Sequence, residues 1–368
     1  MLGLALSGGG FRATLFHLGS LIRLNEAGLL SKVDEFTSVS GGSITSAWLG
    51  VNWDQLQFDA AGVAGNLDEV VIQPLREFCG RTIDVGIILG GVINPVRHPS
   101  HLLINNYRKH LFGDKTLQDL PASPRFTIYA TSLQTGASVR FTREYLGEYH
   151  LGKIKRPENL IAQAVAASSA FPPPLCPVKV ECDPDAWVKG GISDLHDDEY
   201  LKKTMWLGDG GIYDNLGLER LSQRCDRILV SDAGAPFGVD RKLKSTRFSQ
   251  LARTKRTLDI MSEQVRALRT RQLIRQFIKG EKSGAYWGIG TRIGEFPMVE
   301  KGLGNSLVTD SEATREIAGM RTRLNKFDDT EQAKLINWGY ALADAALRSR
   351  YDSAIAASGG LPLPGALA

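Results

Sequence analysis

The chain has 368 residues, of which 43% are hydrophobic and 23% are charged. This composition is that of an ordinary globular protein and excludes a fibrous or intrinsically disordered chain. Forty-four basic residues against forty acidic ones leave a net charge of +4, which is too even to indicate nucleic-acid binding. Four cysteines are too few for a disulfide scaffold, and Cys176 and Cys182 lack a second pair at zinc-site spacing, so we expect buried or idle thiols.

The sequence predicts neither a signal peptide nor a membrane span. The N-terminal residues carry no basic segment, and their apolar run ends at Ser7, which three glycines follow. The longest apolar run, 85–93, has nine residues, whereas a membrane-spanning helix needs about 20. We therefore expect a cytoplasmic protein that contacts membranes only at their surface.

The first forty residues predict a strand, a helix and a second strand. Leu4–Leu6 is a short apolar strand, and the apolar spacing over 11–27 predicts a helix that stops at Gly28. Residues 33–39 predict the next strand, so this unit is βαβ with a right-handed crossover.

Strands and helices follow along the rest of the chain, with no internal repeat and no clear linker. We expect an α/β domain over 1–310 with an insertion near 51–124, then a helical extension and loose tail over 311–368. The later predicted strands are 125–131, 137–142, 205–207, 227–231 and 285–291, and the later predicted helices are 44–49, 68–78, 101–111, 160–170, 246–279 and 330–350.

Three glycines form the first motif, GGGFR at residues 8–12, between the first strand and the first helix. Backbone N–H groups at such a turn, with the positive end of the helix dipole, form a site for an anion. The turn fits the dinucleotide fingerprint G-x-G-x-x-A, but the second strand ends in Ser40 where that fingerprint has an acidic residue. A phosphate site, an oxyanion hole and a purely structural turn all remain open.

The second motif, SVSGG at residues 38–42, lies between a predicted strand and a predicted helix. A nucleophile elbow has this position, because a sharp turn exposes a hydroxyl and small neighbours let strand and helix approach. The central residue is Ser40, and Ser38 stands where the usual G-x-S-x-G pattern has its first glycine. Ser43 is expected to satisfy N–H groups at the start of the following helix.

A nucleophilic serine needs a base, and the third motif, LGDGG at residues 207–211, offers Asp209 after another short strand. All six histidines precede Asp209, which excludes it as the acid in the α/β-hydrolase order Ser–acid–His. A triad with His196 stays open, although its surroundings are typical of a solvated loop, and His17 is expected to be packed or exposed. Asp209 can be a base, a metal ligand or a turn former, and Asp232 is the competing carboxylate.

These three motifs, in this order, resemble those of the patatin-like phospholipase family. The sequences ASSAFPP at 167–173 and LQTG at 133–136 are also similar to segments of that family. The resemblance covers about residues 2–235. It implies a three-layer α/β/α fold with a central, mostly parallel sheet.

The resemblance also implies which residues act. It assigns Ser40 as the nucleophile and Asp209 as its base, in a dyad that needs no metal and no cofactor. A carboxylate base must be partly desolvated, so we expect a raised pKa for Asp209. The resemblance places the oxyanion hole at Gly8, Gly9, Gly10 and Arg12.

The activity that the resemblance implies is lipid acyl hydrolysis of the phospholipase A type. A neutral-lipid esterase, a lysophospholipase, a regulated membrane-degrading effector and a non-enzymatic lipid- or nucleotide-binding module are the alternatives. Residues 253–282 hold nine Lys/Arg and three Asp/Glu, which indicates either a surface for anionic headgroups or a solvated helix face. The apolar run 85–93 is either a lipid-facing loop or buried core. The sequence does not indicate the oligomeric state.

Overall fold

The structure is a computed structural model that describes residues 1–83, 99–172, 175–239, 241, 250–363, 365 and 367. The apolar run 85–93 lies outside the described residues. Eleven strands from the described residues join one sheet. These strands are β1 Leu2–Leu6, β2 Glu35–Val39, β3 Arg125–Ser132, β4 Ser138–Phe141, β5 Tyr145–Glu148, β6 Gly152–Lys155, β7 Val178–Glu181, β8 Trp187–Val188, β9 Thr204–Asp209, β10 Arg227–Asp232 and β11 Ser283–Gly288.

The helices lie between the strands and, after β11, at the C-terminal end. They are α1 Gly10–Glu26, α2 Gly41–Val51, α3 Gln73–Cys79, α4 Pro99–Tyr107, α5 Ile161–Ser168, α6 Glu199–Lys203, α7 Gly211–Asp214, α8 Glu219–Arg224, α9 Gln250–Ile278, α10 Glu312–Ala318 and α11 Asp329–Ala346. Single helical turns occur at Leu30–Lys32, Trp53–Gln55, Asp68–Ile72, Arg108–Phe112, Leu117–Asp119, Pro184–Ala186, Ile293–Glu295 and Leu347–Tyr351. None of the helices in the described ranges is both long enough and apolar enough to cross a membrane.

The sheet has a parallel half and an antiparallel half. Strands β11, β10, β1, β2 and β3 lie side by side in that order and are parallel. Strands β4, β5, β6 and β8 continue the sheet antiparallel, and β9 and β7 branch from β3 in the same manner. The predicted βαβ unit is confirmed, and the parallel half is the one that carries the first two motifs.

The strand register brings the three motifs to one edge of the sheet. Leu6 pairs with Ser38 of β2 and with Ser231 of β10, so the loops after these parallel strands open at the same edge. Strand β9 arrives from the opposite direction and pairs Asp209 with Ala130, near the end of β3. The end of an antiparallel strand therefore reaches the edge where the parallel strands end.

Different helices cover the two faces of the sheet. Leu4 and Leu229 belong to a large apolar cluster that includes α1, α2 and α11, whereas Ala5, Ile228 and Val230 belong to a second cluster with α8 and α9. Because successive strand residues point to opposite faces, helices pack on both sides of the sheet. The predicted three-layer α/β/α fold is confirmed.

The C-terminal helix α11 packs closely on α1. A Cβ atom on Gly19 would lie 1.9 Å from the carbonyl oxygen of Ile336, and one on Gly339 would lie 2.0 Å from that of Phe16. The two backbones therefore approach each other where both helices carry glycine. Residues of α11 share the core of the N-terminal part, and the domain boundary at residue 310 stays a prediction.

Residues 358–363, within the part of the chain predicted to be a loose tail, contact α11. Asn337 is fully buried on α11, and its side chain exchanges two hydrogen bonds with the backbone of Leu363, at 2.5 and 3.0 Å. The Ser358 hydroxyl contacts that of Tyr340 at 2.5 Å. A buried amide needs hydrogen-bond partners, and here the tail supplies them.

The helix crossing gives a test of packing. We expect Gly19→Ala to lower the free energy of unfolding by about 1–3 kcal/mol, because the new methyl group overlaps the backbone of α11. Urea unfolding measures this change. Gly65→Ala is the control, since a Cβ there meets no atom within 4 Å. Equal stability of the two variants would contradict the observed closeness of α1 and α11.

Candidate active site

Ser40 occupies a sharp turn between β2 and α2. Its backbone has φ 52° and ψ −120°. This conformation is unfavourable for any residue other than glycine, and it often occurs at functional turns. A Cβ on Gly41 would lie 2.0 Å from the Gly10 oxygen, and one on Gly42 would lie 2.3 Å from the Leu6 oxygen. The turn therefore needs glycine after Ser40, as the elbow pattern predicts.

A group of buried hydroxyls supports this turn. The N–H of Ser40 donates to the Ser168 hydroxyl at 2.9 Å, which contacts the Ser43 hydroxyl at 2.8 Å. Ser43 in turn donates to Ser38 at 3.1 Å. The prediction that Ser43 satisfies helix N–H groups is therefore wrong, because its hydroxyl is used by two other serines. Ser38, which replaces the usual glycine, is accommodated as a member of this group.

Asp209 ends β9 beside Ser40. Its carboxyl group is buried, and burial raises its pKa to about 6, although hydrogen bonds from the Gly211 N–H, at 2.7 Å, and from the Ser40 side chain lower it in part. The backbone is held by two further bonds, from Thr131 to the Asp209 oxygen and from the Asp209 N–H to Ala170. The structure thus brings Ser40 and Asp209 together, and the prediction of a raised pKa is confirmed.

The glycine turn lies on the other side of Ser40. A Cβ on Gly8 would lie 3.1 Å from the Ser40 Cβ, and the N–H of Gly8 donates to the Asn215 oxygen at 3.1 Å. Gly9 and Gly10 have positive φ angles of 149° and 59°. Within the described ranges their N–H groups have no acceptor, so both can donate to a group beside Ser40.

Asn215 is a residue of this site that sequence reasoning missed. Its side-chain oxygen lies 2.3 Å from where a Cβ on Gly8 would be and 2.6 Å from where one on Gly211 would be. Asn215 therefore packs between the glycine turn and the segment after Asp209. The available signal is its position at the end of the short helix α7, six residues after Asp209.

Arg12 does not reach the cavity, in contrast to the expectation that it belongs to the oxyanion hole. The guanidinium is buried and donates to the carbonyl oxygens of Ala233 at 2.5 Å, Met320 at 2.9 Å and Ala318 at 3.3 Å. Burial lowers its pKa to about 10. Its two terminal nitrogens donate to carbonyls from two other segments, while Nε has no hydrogen-bond partner among the described residues.

A cavity of about 590 Å³ opens over these residues and has two kinds of wall. We call the apolar residues of its lining the apolar wall and the polar and charged ones the polar wall. Helix α9 and the segment after α10 both contribute to the lining, and the sequence motifs predict neither contribution. The apolar wall contains Phe171, Pro172, Leu175, Phe237 and Leu324, and the polar wall contains Arg256, Asp259, Ser262, Glu263, Arg266 and Arg323. A more open hollow of about 950 Å³, next to α3, contains none of the three motifs.

The two histidines that sequence analysis considered, His17 and His196, have partners away from Ser40. His17 is buried, contacts Ser231 and the Ser7 oxygen at 2.8 and 2.9 Å, and has its pKa lowered to about 4 by burial. His196 contacts the Leu151 oxygen at 2.8 Å and does not line the cavity.

The carboxyl group of Asp232, the competing carboxylate, is paired with Arg266 and Tyr286. Burial alone would raise its pKa, but Arg266 at 2.7 Å and the Tyr286 hydroxyl at 2.6 Å hold the pKa below its ordinary value. A carboxylate so occupied is a weak base. Among the described residues, no group of three His, Cys, Asp or Glu side chains is placed to hold a metal ion.

The raised pKa of Asp209 predicts a pH-dependent stability. The folded pKa, about 6, lies above the ordinary 3.8, so the folded state binds more protons and this carboxyl group costs stability as pH rises from about 4 to 6. We expect Asp209→Asn to raise the free energy of unfolding at pH 8 by about 1–3 kcal/mol, and by less at pH 5. Urea unfolding at both values measures this, and a variant no more stable than the wild type at pH 8 would contradict it.

The family model for patatin-like phospholipase matches residues 4–222, which include all three motifs. None of the curated proteins matches the chain.

Among solved structures, human GIVD cytosolic phospholipase A2 is 16% identical with a TM-score of 0.42, over 70% of this chain and 45% of that one. VipD from Legionella pneumophila is 14% identical with a TM-score of 0.35, over 93% of this chain and 65% of that one. The chain thus spans less than half the length of the human enzyme. With a family model that matches more than half of its residues, the chain belongs to the patatin-like phospholipase family.

Proposed function

We propose that the protein is a lipid acyl hydrolase of the phospholipase A type, with Ser40 as nucleophile and Asp209 as base. The observation that carries this proposal is the contact of the Ser40 hydroxyl with a buried carboxylate whose pKa is raised to about 6. A base with a pKa near the working pH is the most effective one. The free N–H groups of Gly9 and Gly10 supply the complementary anion site.

The proposed reaction has two halves. Ser40 Oγ attacks the ester carbonyl carbon while Asp209 accepts the hydroxyl proton, and the Gly9 and Gly10 N–H groups stabilise the oxyanion. When the tetrahedral intermediate collapses, the alcohol leaves with the proton from Asp209 and the acyl group stays on Ser40. Water then attacks the acyl-enzyme, Asp209 accepts a proton from the water, and this proton returns to Ser40 as the fatty acid departs.

The two walls of the cavity support a phospholipid substrate. The apolar wall suits an acyl chain, and Arg256 and Arg323 on the polar wall suit a phosphate-bearing headgroup. A neutral-lipid ester or a lysophospholipid would also fit the apolar wall, and remains the alternative. A non-enzymatic lipid or nucleotide module would not need the strained turn at Ser40 or the desolvated Asp209.

The decisive experiment is fatty-acid release from mixed phospholipid vesicles in the presence of a chelator. We expect wild-type release to persist without metal and to fall at least about 1,000-fold in both Ser40→Ala and Asp209→Asn, because each removes a partner of one proton transfer. Ser46→Ala is the matched control and should retain most activity, because the Ser46 hydroxyl is buried on α2 and has no hydrogen-bond partner among the described residues. Undiminished release from Ser40→Ala would contradict the dyad.

The pKa of Asp209 predicts the acid limb of the pH–rate profile. The base must be ionised, so we expect kcat/KM to fall tenfold per pH unit below about pH 6 and to level off above it. Initial rates on a soluble ester between pH 4.5 and 8 measure the profile. A flat profile over this range would contradict the role of Asp209.

A lipid substrate requires contact with a membrane surface, and one face of α9 is suited to that contact. Arg266 and Arg269 face the protein, where they pair with Asp232 and Asp214 at 2.7 and 3.5 Å. The opposite face consists of exposed positions spaced three or four residues apart, and these carry no acidic residue. They are Thr257, Met261, Gln264, Leu268, Arg271, Arg275 and Ile278.

Apolar side chains next to unpaired arginines complement an anionic lipid surface. Met261 and Leu268 are each 60% exposed and Ile278 is 80% exposed. Within the described ranges, Arg271 and Arg275 make no ion pair. We therefore propose peripheral contact through this face, and the cytoplasmic location stays a prediction.

Vesicle flotation tests this contact. The double variant Arg271→Glu/Arg275→Glu should lower binding to vesicles with anionic lipid at least about tenfold, since each basic residue near the surface is worth about 1 kcal/mol. High salt should reduce wild-type binding in the same way. The matched control is Lys109→Glu/Lys155→Glu, the same charge change at two exposed positions elsewhere. Equal loss in both double variants, or no loss in either, would contradict the role of α9.

The alternatives predict different outcomes of the same assays. No release from the wild type, together with labelling of Ser40 by a fluorophosphonate, would favour an enzyme that needs an activator or a different ester, as a regulated effector does. Absence of both would favour a binding module.

A further inference from the structure

A short segment after α10 lies across the glycine turn. This segment, Ala318–Leu324, is here called the strap, and it lies outside the residues that the family model matches. A Cβ on Gly10 would be 2.1 Å from the Thr322 oxygen, and the N–H of Phe11 donates to the Arg323 oxygen at 3.3 Å. The strap is therefore in backbone contact with Gly10, one of the two candidate oxyanion donors, and with Phe11 next to it.

The Arg12 side chain joins the strap to the glycine turn, and Arg321 of the strap separately pairs with Glu331 of α11. One of its terminal nitrogens, Nη1, donates to the carbonyl oxygens of Met320 and Ala318, and the other, Nη2, donates to that of Ala233. A buried guanidinium is costly unless its donors are used, and these three contacts use both terminal nitrogens, although Nε has no partner among the described residues. Lysine has the charge but not the fork that spans separate carbonyls.

The two segments that Arg12 holds are both walls of the cavity. Thr322, Arg323 and Leu324 line it directly after Met320, and residues 234–238 line it directly after Ala233. The strap is held at its far end by the Ile83 N–H, which donates to the Leu324 oxygen at 2.9 Å. Arg12 thus joins the glycine turn to both walls without contacting the cavity itself.

We propose that Arg12 is a positioning residue that holds the strap in place, and that the strap forms the wall against which the substrate binds. The assignment of the strap as a substrate wall rests on the proposed function, whereas the tether rests only on the contacts of Arg12. Loss of the tether should mainly weaken substrate binding, because the proton-transfer pair of Ser40 and Asp209 does not contact Arg12.

Limited trypsin digestion tests the tether independently of activity. The strap and the residues next to it contain the cleavage sites Arg321, Arg323 and Lys326, and a released strap is cut faster. We expect Arg12→Met to be cleaved at these sites at least about tenfold faster than the wild type, and Arg12→Lys to lie between them, as identified by mass spectrometry. Arg12→Lys keeps the charge, and it replaces Arg12→Met as the test variant if Arg12→Met does not fold.

The matched control is Arg143→Met. Arg143 also donates to two backbone carbonyls, those of Gln118 and Leu120, but in another part of the fold. Its loss should leave cleavage at the strap at the wild-type rate. Equal strap cleavage in Arg12→Met and the wild type, or equal acceleration in Arg143→Met, would overturn the tether.

Kinetics test the second part of the proposal. For vesicle phospholipid, Arg12→Lys should raise KM several-fold while kcat stays within about threefold, and a short soluble ester should be affected less. A fall in kcat with unchanged KM on both substrates would overturn the positioning role and favour direct oxyanion contact. If the wild type hydrolyses neither substrate, the proposed function fails while the proteolysis result still decides the tether.

Discussion

The close approach of two backbone turns is the constraint on which the rest of the site depends. A Cβ on Gly41 would overlap the Gly10 oxygen at 2.0 Å, and one on Gly8 would overlap the Asn215 side-chain oxygen at 2.3 Å and lie tightly against Ser40. This contact places a strained serine beside free N–H groups and beside a buried carboxylate. The free-energy cost of that strain and burial is offset by the packing of β1, β2, α1 and α2, which is ordinary and extensive.

Buried polar side chains around the site hold its backbone segments in place. Serine hydroxyls hold the turn at Ser40, and Arg12 holds the backbone of two cavity walls. On α9, Arg266 neutralises Asp232 and leaves Asp209 as the carboxylate with a raised pKa beside Ser40. Two acids at strand ends of the same sheet thus have opposite pKa shifts, because one has a cation and the other has only N–H and hydroxyl donors.

The C-terminal third is part of the site as well as part of the core. Helix α11 packs on α1 through paired glycines, and the strap between α10 and α11 lies on the glycine turn. Helix α9 provides the polar wall of the cavity on one side and an exposed apolar and basic face on the other. The motif-bearing part alone would leave the cavity open on these sides.

The sequence by itself determined the βαβ unit, the elbow at Ser40, the glycine turn and the candidate base, because each depends on local backbone geometry or on residue types in one short segment. Only the tertiary structure decided that Arg12 binds carbonyls, that Ser43 contacts other hydroxyls, that the tail docks on Asn337 and that Asn215 enters the site. The partners include Leu363, 26 residues from Asn337, and Met320, 308 residues from Arg12, and one sequence carries no periodicity or spacing that pairs such groups.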